Sequence, residues 1–173
     1  MEPWPCIGEE IVHQGDRTVA RRTYRRPDGE EAGYDVILHG PGVSVLAFTD
    51  DDEVVLTRQF RPGPERVLLD LPSGFIDDGE DPATAAAREL AEETGYEGRL
   101  TEVGRTTPAA YSTQVSHIFV GRECRPVRMQ HTEPDEDIEV VLVPVDELRR
   151  LLREDQLTVV DGAYLALDVA RRL

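Results

Sequence analysis

The chain has 173 residues, and its 19 basic and 35 acidic side chains give a formal net charge of −16. Every basic residue is arginine, which excludes phosphate-loop ATPases, Schiff-base enzymes and protein kinases because these classes need a lysine. A negative charge of this size repels nucleic acids and anionic membranes, so we expect neither as a partner.

The N-terminal region predicts a small antiparallel β extension. Residues 17–26 alternate apolar and arginine side chains, a Pro-Asp-Gly sequence at 27–29 supplies turn chemistry, and residues 32–39 read as the returning strand.

The rest of the chain predicts strands interrupted by a few helices. The predicted strands are 42–49, 53–60, 66–71, 99–105, 114–121 and 138–145, and the predicted helices are 82–94, 146–154 and 159–172. This order of elements indicates an α+β fold or a mixed α/β sandwich, and the length suits one domain with a substantial core.

The helix predicted at 82–94 has well-defined ends. Asp81 is a good N-cap, Pro82 fits the first helical position, and Gly95 fits the position after the last turn. At 100° per residue one face of the helix is mostly apolar, and it consists of Ala83, Ala86, Ala87, Leu90 and Thr94.

Three glutamates lie together on roughly the opposite face, in the last turns of this helix. Glu89, Glu92 and Glu93 face the negative end of the helix dipole, and Arg88 can offset Glu92 through an i,i+4 contact but cannot offset all three. The cluster therefore indicates a bound cation, and hard oxygen ligands favour Mg²⁺ or Mn²⁺. Taken alone, the same residues are also typical of a solvated acidic face.

The segment before the helix favours the metal site over a solvated acidic face, because the whole stretch resembles the Nudix hydrolase box. That box is a pattern of nine specified positions over 23 residues, and every position is filled here, the last one by Tyr96. The matching positions are Gly74, Glu80, Arg88, Glu89, Leu90, Glu92, Glu93, Gly95 and Tyr96.

The resemblance implies a metal site and a reaction. Glu89, Glu92 and Glu93 are similar to the family's ligands for a divalent ion, Mg²⁺ or alternatively Mn²⁺, and the carbonyl of Ser73 is a further candidate. Glu89 and Glu93 are also candidate catalytic residues. The implied reaction is hydrolysis of a nucleoside diphosphate linked to another group, in which metal ions neutralise the pyrophosphate and activate a water.

The resemblance also implies the architecture. The family fold is an α/β/α sandwich around a mixed sheet, which here covers residues 41–173 and leaves residues 1–40 as the N-terminal β extension. Glu80 and Arg88 correspond to a structural ion pair between the loop and the helix.

Three features resemble the family's branch that hydrolyses ADP-ribose and other nucleoside diphosphate sugars. The first is the β extension, which in that branch helps to form a homodimer near the substrate. The second is the arginine pair Arg58 and Arg61, of which Arg61 is similar to a phosphate-contacting residue. The third is an acidic loop in which Glu136 matches a further metal ligand or acid, while nearby Glu133 is a candidate general base.

The same branch carries a substrate loop that this chain matches only in part. Gln114 stands where a glutamate is usual, which leaves a hydrogen-bonding group without charge and opens the choice of sugar. Tyr111 in that loop is a candidate platform for stacking a base.

Two other functions remain open. One is hydrolysis of nucleoside triphosphates or dinucleoside polyphosphates, and the other is a ligand sensor with this fold but no turnover. Cys6 and Cys124 form no metal-type spacing, and a disulfide between them is possible but has no support in the sequence. We therefore expect a reducing, cytoplasmic setting. The chain also has no apolar run of membrane-spanning length.

Overall fold

The computed structural model describes residues 1–131 and 137–173, which form two compact units. The first unit consists of residues 1–40 and 107–115, and the second of residues 41–106 and 116–173. Among the described residues, no helix has the length and apolar character that crossing a bilayer requires.

The first unit is a three-stranded antiparallel sheet, in which β1 (Cys6–Gln14), β2 (Thr18–Arg25) and β3 (Glu31–Leu38) are neighbours in chain order. The segment 107–115 adds to the end of β3, since Ile37 N donates to the carbonyl of Tyr111 over 2.9 Å.

The second unit contains the remaining seven strands and three helices. They are β4 (Gly42–Thr49), β5 (Glu53–Arg61), β6 (Arg66–Asp70), β7 (Ser73–Phe75), α1 (Pro82–Thr94), β8 (Tyr96–Thr106), β9 (Ser116–Pro126), β10 (Glu139–Pro144), α2 (Val145–Arg153) and α3 (Val160–Val169). The main strand order is β10-β5-β4-β9-β8, with β6 paired to β5 and β7 paired to β4. Because β4 and β9 are parallel and the other pairs antiparallel, the sheet is mixed.

The helices cover both faces of this sheet. Side chains of α1, including Ala86 and Leu90, pack with one face of β4 and β5, whereas α2 and α3 pack on the other face. Strand β4 is buried along nearly its whole length because helices cover both faces of the sheet there, which agrees with its mostly apolar sequence. The predicted α/β/α sandwich with a small N-terminal antiparallel sheet is therefore the architecture observed.

Sequence reasoning does not predict two of the strands. The sequence of β1 does not alternate apolar and polar residues, so no pattern indicates a strand there, and all nine of its residues are exposed. Strand β7 has only three residues, and it follows a proline directly. Helix α3 also ends at Val169, before the predicted end at 172.

Candidate active site

Helix α1 begins and ends as its sequence predicts. The Asp81 carboxylate accepts from the backbone N–H groups of Ala83 and Thr84, and Gly95 adopts a left-handed φ of 76° that only glycine accommodates easily. The buried side only partly matches the predicted face. Ala83 and Ala87 are exposed, whereas Ala85, Ala91 and Glu93 turn inward.

Glu93 is a buried carboxylate at the end of α1. Its side chain is tied to β7, because Ser73 N donates to Glu93 Oε2 over 2.9 Å. An acidic group is expensive to bury without such a partner. The hydrogen bond fixes the Glu93 carboxylate beside the strand that leads into the turn before α1.

Glu89 lies directly over the backbone of Gly74. A Cβ at position 74 would be 2.1 Å from both Cδ and Oε1 of Glu89, so any larger residue would force this carboxylate to move. The first residue of the predicted box is thus a steric requirement of the first glutamate.

Arg88 connects the turn before the helix to two of its glutamates. Its Nε donates to Glu80 Oε1 over 3.0 Å and its Nη2 to Glu80 Oε2 over 2.9 Å, while Nη1 is 2.7 Å from Glu89 Oε1 and 3.2 Å from Glu92 Oε2. Nη2 also donates to the carbonyl of Phe75. These hydrogen bonds lower the pKa of Glu80 and raise that of Arg88. Arg88 therefore offsets Glu89 as well as Glu92, one more than the sequence predicts.

The donor set fits a divalent cation in chemistry, although the carboxylates point to other partners in this conformation. Within residues 1–131 and 137–173, no three acidic, histidine or cysteine side chains converge closely enough to hold an ion. In this conformation Arg88 contacts Glu89 and Glu92, while Glu93 accepts from Ser73 N. Carboxylate and carbonyl oxygens are the ligands that Mg²⁺ and Mn²⁺ prefer. The Glu89 carboxylate occupies the space next to the Gly74 backbone that a side chain at position 74 would fill.

The two predicted phosphate-binding arginines have different surroundings. Arg58 pairs with Glu139 across β5 and β10 on the surface, where Nε lies 2.9 Å from Oε2. Arg61 instead pairs with Asp70, whose side chain is only 1% exposed. The hydroxyl of Thr158 donates to the same carboxylate oxygen. Sequence reasoning missed Asp70, although an acidic residue inside the apolar run of β6 was a signal for it.

Tyr111 and Gln114 belong to the first unit. The Tyr111 ring lies 6.2 Å from Tyr34, which in turn lies 6.1 Å from Tyr24 in an edge-to-face contact. Together with Trp4 these rings line a cleft of about 430 Å³. Gln114 N donates to Ser112 Oγ over 3.1 Å.

Glu133 and Glu136 lie outside the described residues, so the structure gives no position for the predicted base or for the additional acid. The described chain resumes at Asp137.

An α/β/α sandwich that presents an acidic helix beside a glycine turn defines the class of Nudix-type domains. The NUDIX domain family matches residues 38–162. The chain therefore belongs to the Nudix family, as the motif predicts, and Nudix hydrolases use divalent metal ions.

Several relatives resemble the chain over most of its length. It is 32% identical over 142 residues to an ADP-ribose pyrophosphatase of Bacillus subtilis, covering 80% of this chain and 76% of the relative. It is 32% identical over 182 residues to an ADP-sugar pyrophosphatase of Mus musculus, covering 90% and 82%. A methanol dehydrogenase activator of Bacillus methanolicus is 28% identical over 151 residues, covering 83% and 82%.

A crystal structure of an ADP compounds hydrolase shows the same fold. It superposes with a TM-score of 0.81 at 23% identity and covers 100% of this chain and 98% of the other. The predicted fold is confirmed by this match.

Proposed function

We propose that the chain hydrolyses the pyrophosphate of ADP-ribose or a related nucleoside diphosphate sugar. Water adds to one phosphorus, the bond from that phosphorus to the bridging oxygen breaks, and the products are a nucleoside monophosphate and a sugar phosphate. The observation that carries the proposal is the complete set of glutamates on α1, with Glu89 seated over Gly74 and Glu93 fixed by Ser73 N.

Four groups of the chain would hold Mg²⁺, or alternatively Mn²⁺: the carboxylates of Glu89, Glu92 and Glu93 and the carbonyl of Ser73. When bound, the metal neutralises pyrophosphate charge and lowers the pKa of a coordinated water. The glutamates must exchange their present partners to bind it. Glu80, which already makes two hydrogen bonds to Arg88, would retain the arginine during that exchange.

The general base remains a choice among acidic residues. Glu93 and Glu89 are candidates within α1, and Glu133 and Glu136 are candidates in the acidic loop. A base must lie within hydrogen-bond reach of the attacking water, either directly or through one water.

The substrate contacts in the proposal are the residues that the sequence predicts for this role. Arg61 binds phosphate oxygens, which suits the planar fork of a guanidinium. Arg58 is the second arginine predicted to contact the substrate, and strand alternation places it on the other face of β5. Tyr111 stacks on the base and Gln114 hydrogen-bonds the sugar portion. The names of the relatives, ADP-ribose pyrophosphatase and ADP-sugar pyrophosphatase, support this substrate class.

We also propose that the protein is cytoplasmic. Separately, we propose that it forms a homodimer to which residues 1–40 contribute. The two cysteines support a reducing compartment, because Cys6 and Cys124 are both free.

The test is a substrate panel with Mg²⁺ that includes ADP-ribose, other nucleoside diphosphate sugars, nucleoside triphosphates and a dinucleoside polyphosphate. We expect the highest kcat/KM on a nucleoside diphosphate sugar, with a nucleoside monophosphate among the products. A preference for the triphosphates or the dinucleoside polyphosphate would replace the proposed substrate. Binding without turnover under every metal would instead indicate a sensor.

A further inference from the structure

Asp70 is a buried carboxylate at the end of β6 that no part of the reaction described above uses. Its Oδ2 accepts from Arg61 Nη2 and from the hydroxyl of Thr158, which lies between α2 and α3. Backbone hydrogen bonds hold that segment against β6, since Leu69 N donates to the carbonyl of Gln156 over 2.9 Å. The Asp70 end of the pair is therefore buried, whereas Arg61 is partly exposed.

The strand register places this pair on the face of the sheet that α1 covers. Val55 of β5 packs with α1, and alternation along the strand puts Thr57 and Arg61 on the same face as Val55. Asp70 is the cross-strand partner of Thr57 and so shares that face. The Arg61 guanidinium thus belongs to the same side of the sheet as the glutamate helix.

The pair is also close in sequence to the glutamate site. Asp70 lies three residues before Ser73, whose N–H binds Glu93, and four residues before Gly74, over which Glu89 sits. Asp70 therefore connects Arg61 to the segment that contacts the two carboxylates of α1.

A role in stability alone does not account for this cluster. Burial raises the pKa of Asp70 although Arg61 and Thr158 oppose that rise. Asp70 Oδ1, Arg61 Nε and Thr57 Oγ1 are buried and make no hydrogen bond within the described chain. Apolar residues of similar volume often replace a buried ion pair without loss of stability. A polar cluster retained at such cost is better explained by what it does to Arg61.

We propose that Asp70 is a positioning residue that fixes the Arg61 guanidinium for a phosphate of the nucleoside diphosphate. The inference rests on the proposed function. Asp70 accepts from Arg61 Nη2, and the Arg61 side chain is 33% exposed, so part of the side chain remains accessible to a ligand. Held by a buried carboxylate, it loses less rotamer freedom when phosphate binds.

The test compares steady-state kinetics on ADP-ribose with Mg²⁺ in the native chain, Asp70→Asn, Arg61→Gln and the double variant. We expect Asp70→Asn to raise KM roughly tenfold, since a charge-assisted hydrogen bond is lost, while kcat stays within about twofold. The double variant should be no worse than Arg61→Gln alone, because Asp70 acts through Arg61.

The matched control is Asp155→Asn. Asp155 pairs with Arg66 of the same β5–β6 hairpin, and Arg66 is the cross-strand partner of Arg61. That pair is exposed, so its loss should leave both kinetic constants unchanged.

Each remaining outcome has a definite reading. An active native chain whose Asp70→Asn variant is folded with unchanged KM overturns the proposal, as does a loss confined to thermal stability or kcat. If Asp70→Asn does not fold, Thr158→Val removes one donor to the same carboxylate. A KM unchanged in Thr158→Val then overturns the proposal. A native chain inactive on every nucleoside diphosphate sugar removes the proposed function and this inference together.

Discussion

Single atoms decide the geometry of the glutamate site. Glu89 occupies the space that a side chain at position 74 would need, and Glu93 accepts one backbone hydrogen bond from Ser73. Arg88 adds contacts to Glu80 on one side and to Glu89 on the other. Small changes here should therefore alter metal binding more than they alter folding.

Gly74→Ala is expected to weaken Mg²⁺ binding by about 10- to 100-fold, the range for residues that orient metal ligands. The physical reason is that the new Cβ would overlap the Glu89 carboxylate, with 2.1 Å to Cδ. Isothermal titration with Mg²⁺ measures the effect. Gly63→Ala is the control, because a Cβ there meets nothing within 4 Å, and equal affinities in the two variants would contradict the steric account.

The Glu80–Arg88 pair should make the free energy of unfolding decrease as the pH falls into the acidic range. Hydrogen bonds from Arg88 hold the pKa of Glu80 below its ordinary value of 4.5. A lowered carboxyl pKa contributes stability that is present above the unfolded-state pKa and is lost as the pH falls through the folded-state pKa.

The measurement is urea unfolding of the native chain and Glu80→Gln from pH 7 down to pH 3. We expect the native chain to be more stable at neutral pH and the difference to shrink below about pH 4.3. A difference that stays constant over the whole range would show that the ionised pair is not its source.

Helix α1 is the element that sequence reasoning describes most completely, and its cap can be tested separately from the metal site. Asp81→Ala removes the acceptor for two N–H groups and should lower the free energy of unfolding by about 1 kcal/mol. Chemical denaturation measures this. The control is Asp78→Ala, at an exposed position in the preceding turn. An equal effect at both positions would argue against a specific cap.

How much of the structure the sequence predicts depends on how local the signal is. The bounds of α1 and β4 follow from caps and apolar runs, which neighbouring residues determine. The inward turn of Glu93 could not be foreseen, because its hydrogen-bond donor is a backbone N–H twenty residues earlier. The partner of Arg61 was missed for the same reason, since Asp70 lies nine residues further along the chain and comes within reach of the Arg61 side chain only when β6 pairs with β5.

Strand β1 shows the complementary limit. Its nine residues are all exposed within the single chain, so no apolar alternation indicates a strand. Its backbone pairs with β2, and hydrogen bonding rather than burial makes it a strand. Ile11 and Val12 on this strand are 52% and 50% exposed.

For the molecule as a whole, the exposed apolar side chains of β1, Ile7, Ile11 and Val12, support the proposed homodimer. Light scattering at micromolar concentration should give about twice the chain mass of 19.4 kDa. Replacing Ile11 and Val12 with threonine should shift the mass towards the monomer, whereas Val169→Thr, at another exposed apolar position, should not. A monomeric mass for the native chain would contradict the proposal.

The net charge of −16 also bears on how the molecule as a whole could bind an anionic substrate. An acidic molecule repels a pyrophosphate unless cations stand between them, and the glutamates of α1 are the groups that would hold such cations. Because the chain has arginines but no lysine, the proposed function gives the direct phosphate contacts to arginines such as Arg61.

The central claim is that the α1 glutamates make the chain a metal-dependent pyrophosphohydrolase. The most direct test is the rate of ADP-ribose hydrolysis at increasing Mg²⁺ for the native chain, Glu93→Gln and the exposed control Glu97→Gln. The native chain and Glu97→Gln should require Mg²⁺ and react at similar rates, while Glu93→Gln should lose roughly 100-fold or more. Equal rates in the native chain and Glu93→Gln would contradict the account.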